Sequence, residues 1–255
     1  MSRSITLKSP SEIQIMREAN QIVAETLAML ESRIEPGLNT LRLDIWAEEF
    51  ARKKGGEPAF KGYRGFPGSL CVSLNEEVVH GIPSERVILK EGDILSIDFG
   101  VKFRGFYGDA AITVPVGNVS PLKEELIRVT RVALEKAVSQ VRVGNRVNDI
   151  SAAVEQYVET ANNFSVVRQF VGHGIGSQLH EPPEIPNYSR KGQTPRLLPG
   201  MVLAIEPMVN AGKYEVKVLK DGWTVVTADR EPSAHFEHTV VVTEDGPLIL
   251  TERAT

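Results

Sequence analysis

The 255-residue chain contains a single cysteine, Cys71. No internal disulfide can form, and a reducing compartment is implied. A thiolate-rich structural zinc site is excluded, because such sites need several Cys and His ligands. No apolar run reaches membrane-spanning length. Residues 1–8 lack the apolar core of a secretory signal, so the expected location is cytoplasmic, with no membrane partner. Excess positive charge is missing as well. The formal net charge is -4, which leaves no electrostatic footprint for nucleic acid. What remains is ordinary globular composition, 42% hydrophobic and 24% charged, in a chain long enough for one large domain or two small ones.

Two helix pairs and two groups of strands are legible. Ser9-Pro10-Ser11-Glu12 is a helix start, with Ser9 as cap, Pro10 at the first helical position and Glu12 completing a capping box. Met16, Ala19, Val23, Leu27 and Leu30 then share one helical face, which predicts a helix to about Ser32. A second helix is predicted over 41–54, a third over 121–138 and a fourth over 148–160. Strands are predicted over 70–79, 93–101 and 105–116, and again near 165–171, 201–210, 214–218, 222–227 and 235–243. Five prolines between Pro182 and Pro199 mark a surface loop.

The two groups repeat one another. Gly37, Leu43, Ala47, Glu48 and Phe50 align with Gly144, Ile150, Val154, Glu155 and Tyr157. Further along, His80 matches His173, Asp98 matches Glu206, and Asp109 matches Glu237, in the same order. The expected architecture is α+β: one domain over 1–255, built of two pseudo-symmetric halves, about 1–118 and 119–255.

Each matched carboxylate adjoins an apolar, strand-like run. A charge there is costly to bury unless it is paired, hydrogen-bonded or bound to metal. Asp98 and Asp109 flank a hairpin, so both can face one point, and Glu206 with Glu237 is expected to arise the same way. His173 lies between glycines, where the backbone can bend to aim the imidazole. Carboxylate oxygens plus an imidazole suit first-row divalent ions. Two such ions sharing carboxylates would hold a hydroxide nucleophile between them. Any one of these acids alone reads as a turn or salt-bridge residue; the matched series is what points to a site.

These segments resemble the type I methionine aminopeptidases of peptidase family M24, which have the pita-bread fold. The resemblance rests on residues 68–83 (Gly-Ser-Leu-Cys-Val-Ser-Leu-Asn-Glu-Glu-Val-Val-His-Gly-Ile-Pro), 93–98, 172–176, 180–183, 205–207 and 236–239. It covers nearly the whole chain. It implies a curved antiparallel sheet backed by four helices. It implies two divalent metal ions (Co, Mn, Fe, Zn or Ni), held by Asp98, Asp109, His173, Glu206 and Glu237, with Asp109 and Glu237 bridging. His80 and His180 become substrate-contacting residues, which breaks the repeat symmetry, and Glu206 becomes the proton shuttle. Tyr63, Cys71, Leu179 and Trp223 become walls of a methionine pocket. Phe60 and Leu179 depart from the residues many members carry there. The implied activity is removal of the initiator methionine from nascent chains whose second residue is small and uncharged. A monomer is implied, and ribosome contact is compatible with such a substrate. Two rivals remain at this point: a proline-directed peptidase of the same fold, and a non-catalytic binding relative, which would be expected to lose metal ligands.

Overall fold

In a computed structural model of the chain, residues 4–252 are described. Residues 1–3, part of the stretch read above for a signal segment, and 253–255 lie outside them. Four helices pack against antiparallel strands: α1 (Pro10–Glu31), α2 (Thr40–Lys53), α3 (Pro121–Ser139) and α4 (Val147–Glu155), the last running on into a π-helical turn, Gln156–Thr160. No helix among the described residues is long and apolar enough to cross a membrane.

The capping box at the start of α1 forms as expected. Ser9 Oγ accepts from the Glu12 N–H at 3.4 Å, and the Glu12 carboxylate accepts from the Ser9 N–H at 2.7 Å. All five residues of the predicted apolar face are buried. They pack on the long hairpin Ile94–Phe103 and Phe106–Pro115. α3 starts in the same way, with Ser120 as cap and Pro121 in the first turn. Its apolar face packs with α4 and with the strands Val202–Ile205, Met208–Asn210 and His238–Thr243. The repeat extends to backbone conformation. Gly37 and Gly144 both precede their helices at left-handed φ, 94° and 96°, where a side chain would be strained.

Several predicted strands break where the sequence alone reads them as continuous. The 70–79 strand is split by a turn into Cys71–Leu74, which pairs with Ile94–Phe103, and Glu77–Val79, which pairs with Val225–Thr227 in another sheet. The 165–171 strand shrinks to Ser165–Val166, and Gly172–Gly174 forms a separate strand. The 201–210 strand divides at Glu206–Pro207, because proline has no N–H to give the ladder. The 235–243 strand divides opposite it, at Phe236–Glu237. Part of the expected proline-rich loop is ordered: Glu181–Ile185 is an edge strand beside Gly172–Gly174. Prolines are tolerated there because an edge strand has N–H positions that need no partner.

Candidate active site

Strand register accounts for the site. In the first hairpin Asp98 pairs with Ala111, and Gly100 with Asp109. All four side positions therefore share one face, with the two acids diagonal to one another. In the second half Ile205 pairs with His238, and Met208 with His235. The register is the same on both sides of the interruption, so Glu206 directly faces Glu237. The two halves consequently differ: one pair of acids is diagonal, the other directly opposed. The expectation that both arise the same way is corrected by this two-residue offset.

The halves meet along Phe106–Pro115. The Glu237 N–H donates to the Ala111 carbonyl at 2.9 Å, and Thr239 Oγ1 donates to the Asp109 carbonyl at 2.8 Å. His173 pairs with Ala204, which pairs with Thr239. Two adjacent rows result on one face. The first runs Asp98, Ala111, Glu237, Glu206. The second runs Gly100, Asp109, Thr239, Ala204, His173. Neighbouring strands lie about 4.8 Å apart, and same-face positions along a strand about 6.6 Å apart. The positions between the acids are mostly small, which leaves room above them.

His173 is positioned otherwise than expected. Its flanking glycines do not bend the chain, since both belong to the strand Gly172–Gly174. A Cβ at Gly172 would meet the Ala204 carbonyl, and one at Gly174 the Pro182 carbonyl. Close approach of neighbouring backbone on both sides is what demands glycine here.

The ligand atoms of Asp109, His173 and Glu237 lie within 4.8 Å of one another. His173 Nε2 is 3.6 Å from Glu206 Oε1. Burial pushes Asp98 up to about 7 and raises Asp109, Glu206 and Glu237 well above the usual carboxylate range, with the negative charge of neighbouring acids adding to each of these three. Burial lowers His173 to about 4, leaving it neutral with a free ring nitrogen. Asp98 Oδ1, Asp109 Oδ1 and Glu237 Oε1 are buried without a hydrogen-bond partner among the described residues. Orphaned oxygens of this kind are expensive unless a cation satisfies them. Four carboxylates carry a charge that two divalent ions would balance. The donor set fits hard or borderline divalent metal.

A cavity of about 150 Å³ opens beside the acids. It is lined by all the residues singled out from the sequence: Phe60, Tyr63, Cys71, His80, Asp98, Asp109, His173, Leu179, His180, Glu206, Trp223 and Glu237. Its volume suits one medium apolar group, comparable to a cavity that holds benzene. His80 takes a left-handed φ of 60°, a strained conformation that collects at functional sites. Its ring stands edge-on to Phe170 and Trp223 at 5.5 and 6.3 Å. His180 lies with its ring centroid 4.3 Å from that of His173. Burial and the neighbouring His173 lower it to about 3. The Cys71 thiol is pushed up by burial and the nearby acids, so it is an apolar wall and not a nucleophile.

Three residues at the site escaped the sequence reading. Arg64 and Phe66 complete the cavity, Phe66 standing edge-on to Trp223 at 5.2 Å. No periodic pattern marks them. His235 lies behind Glu206, its Nε2 3.7 Å from Glu206 Oε2. It stands two residues before Glu237, and strand alternation alone would have placed both on one face.

Comparison with known proteins bears on all of this. The model of metallopeptidase family M24 matches residues 14–244. The methionine aminopeptidase of Clostridium perfringens is 55% identical over 247 residues, covering 97% of this chain and 98% of its own. Methionine aminopeptidase 1 of Bacillus subtilis is 55% identical over 247 residues, covering 97% and 99%. The crystal structure of the methionine aminopeptidase from Thermotoga maritima superposes with a TM-score of 0.96 at 46% identity, over 98% of this chain and 100% of that one.

Proposed function

The chain belongs to metallopeptidase family M24, and we infer that it is a hydrolase that removes N-terminal methionine as a methionine aminopeptidase. The observation that carries the reading is the joining of two rows of ligand-type residues to a small cavity with one apolar wall and room for one side chain. A cavity of that volume suits the side chain of one terminal residue.

Divalent metal fits the orphaned oxygens, and two ions are the stoichiometry we favour. Asp109 and Glu237, from the middle strands, would be shared between them. Asp98 would help hold one ion, and His173 with Glu206 the other. When bound, the ions supply Lewis acidity and a water of lowered pKa.

The chain's own groups do the rest. Phe60, Phe66, Cys71, Leu179 and Trp223 enclose the methionine side chain, which is long, unbranched and polarizable. Tyr63 closes the same wall and reaches His180. Both His80 and His180 are neutral donors beside the acids, placed to hold the substrate carbonyl as charge develops on it. The Glu206 carboxylate takes a proton from the attacking water and returns it to the leaving amine. A small, uncharged second residue, nascent polypeptide N-termini as substrate, a cytoplasmic location, a monomeric state and contact with the ribosome belong to the same reading. So does one catalytic domain spanning the chain as two halves.

The test is hydrolysis of Met-Ala-Ser, Met-Lys-Ser and Ala-Pro-Ser by chelator-stripped protein with Mn, Fe or Co added back. Metal-dependent release of Met from the first peptide alone is expected. Release of Ala from Ala-Pro-Ser would move the protein to a proline-directed activity.

A further inference from the structure

His235 is 2% exposed, and its Nε2 has no hydrogen-bond partner among the described residues. Glu206 Oε2 lies 3.7 Å from it. The other oxygen of that carboxylate faces His173 Nε2 at 3.6 Å. One carboxylate therefore sits between two imidazoles. Unlike His173, His235 does not line the cavity.

The backbone of His235 is clamped. Its N–H donates to Thr113 Oγ1 at 2.8 Å, and Thr113 Oγ1 donates to its carbonyl at 2.7 Å. Pairing with Met208 holds the other side. With the backbone anchored, a shift of about 0.8 Å would close the gap to the roughly 2.9 Å of an N–H···O bond. A neutral imidazole carries one N–H. With that proton on Nδ1 and Glu206 ionised, as metal binding requires, the Nε2 lone pair would point at carboxylate oxygen. With it on Nε2, the orphan is satisfied and the carboxylate is held.

We propose that His235 is a positioning residue, donating from Nε2 to Glu206 Oε2 and so aiming Oε1 into the site. The inference rests on the aminopeptidase reading for its kinetic consequence, but not for the contact itself. Glu206 then keeps one oxygen fixed while the other handles metal and proton. Partners of this type, one step behind a ligand, are commonly worth 10–100-fold in metal affinity or activity.

The experiment compares wild type, His235→Leu and His235→Gln. Glutamine places an amide N–H near the Nε2 position; leucine fills the space with no donor. Each protein is titrated with Co(II), read by its d–d absorption and by calorimetry, and assayed on Met-Ala-Ser. His235→Leu is expected to weaken Co(II) binding about tenfold, alter the d–d spectrum and lower kcat about 10–100-fold, with KM within about threefold. His235→Gln is expected to keep the Co(II) affinity and at least about a third of kcat. Should the leucine variant not fold, His235→Asn replaces it, since its shorter amide does not reach Glu206. A folded leucine variant with wild-type Co(II) binding and kcat would overturn the proposal. Equal losses in the leucine and glutamine variants would overturn it too, by showing that ring shape alone matters. Failure of the wild type to release Met would instead sink the aminopeptidase reading, and the Co(II) titrations would still decide the role of His235.

Discussion

The Tyr63 hydroxyl lies 2.9 Å from His180 Nδ1, and the two rings stack with centroids 5.3 Å apart. A neutral imidazole has one donor and one acceptor nitrogen. With Nδ1 accepting from the hydroxyl, the proton sits on Nε2, free to donate into the cavity. Tyr63 is thus more than the pocket wall expected from the sequence. Tyr63→Phe keeps the wall and removes the hydrogen bond, worth about 0.5–1.5 kcal/mol. The expected result is a kcat roughly 2–10-fold lower with unchanged metal content. A Tyr63→Phe enzyme with wild-type kcat would show that the hydroxyl does not set the tautomer.

His80 tests the repeat against the site. By sequence it corresponds to His173, yet it stands among Phe170 and Trp223 and outside the tight group of Asp109, His173 and Glu237. His80→Ala is expected to lower kcat about 10²–10³-fold, the usual loss for a donor to a developing oxyanion. Metal content, read by elemental analysis, should stay at the wild-type level. Loss of metal would mean that the repeat symmetry was the better guide.

Glu206→Gln preserves shape and removes the proton-accepting charge. Turnover should fall by about 10²–10⁴-fold. Thermal stability of the metal-free protein should hold or rise, because one buried, mutually repelling acid is gone. A kcat within tenfold of wild type would remove Glu206 from the proton path.

How much of this was legible beforehand depended on the kind of interaction involved. Local chemistry was: Ser9 and Glu12 cap α1 as read, and the five ligand-type residues converge. Long-range pairing was not. Pro207 is a visible breaker in 201–210, but nothing in 235–243 announces that the other strand breaks opposite it, bringing Glu206 and Glu237 face to face. Register belongs to two segments at once, and a one-residue slip would turn every side chain to the other face. Gly172 and Gly174 misled for the same reason, since their need for a missing Cβ comes from Ala204 and Pro182 on neighbouring strands.

Lys8 and Glu181 pair at 2.7 Å with side chains only 3% and 9% exposed. The bridge ties the segment before α1 to the residue after His180. Removing one partner leaves a charge buried, which typically costs about 3–5 kcal/mol. Glu181 keeps a hydrogen bond from the Gln178 N–H at 3.0 Å, so the lower end applies. Lys8→Met should lower stability by about 3 kcal/mol in urea unfolding. A change below about 1 kcal/mol, the range of an exposed pair, would show that the bridge is not insulated from water.

The acids and the histidines give the metal-free protein opposing pH dependences. Folding lifts Asp98 to about 7 and the other three acids well above their ordinary range. The folded state then binds protons more tightly than the unfolded chain, and this stability is lost as pH rises. Histidines 173, 180, 235 and 238 run the other way, lowered by burial to about 4, 3, 3 and 4 from 6.5. Their contribution grows with pH and is complete once the unfolded-state value has been passed. Above pH 7, then, the acids still act, joined near pH 9 by the buried Cys71 thiol, whose raised value works in the same direction. Each acid whose proton is held weakens the fold by about 1.4 kcal/mol per pH unit. At about 2–4 °C per kcal/mol, chelator-stripped protein should lose Tm between pH 7 and 9, by about 6–11 °C for each acid that keeps its proton throughout. Metal reverses the sign, because ligands must shed their protons to bind it. Mn(II) should therefore raise Tm more at pH 9 than at pH 7, with proton release on binding. A metal-free Tm that stays level or climbs across this range would mean that Asp109, Glu206 and Glu237 are not held protonated in the empty fold.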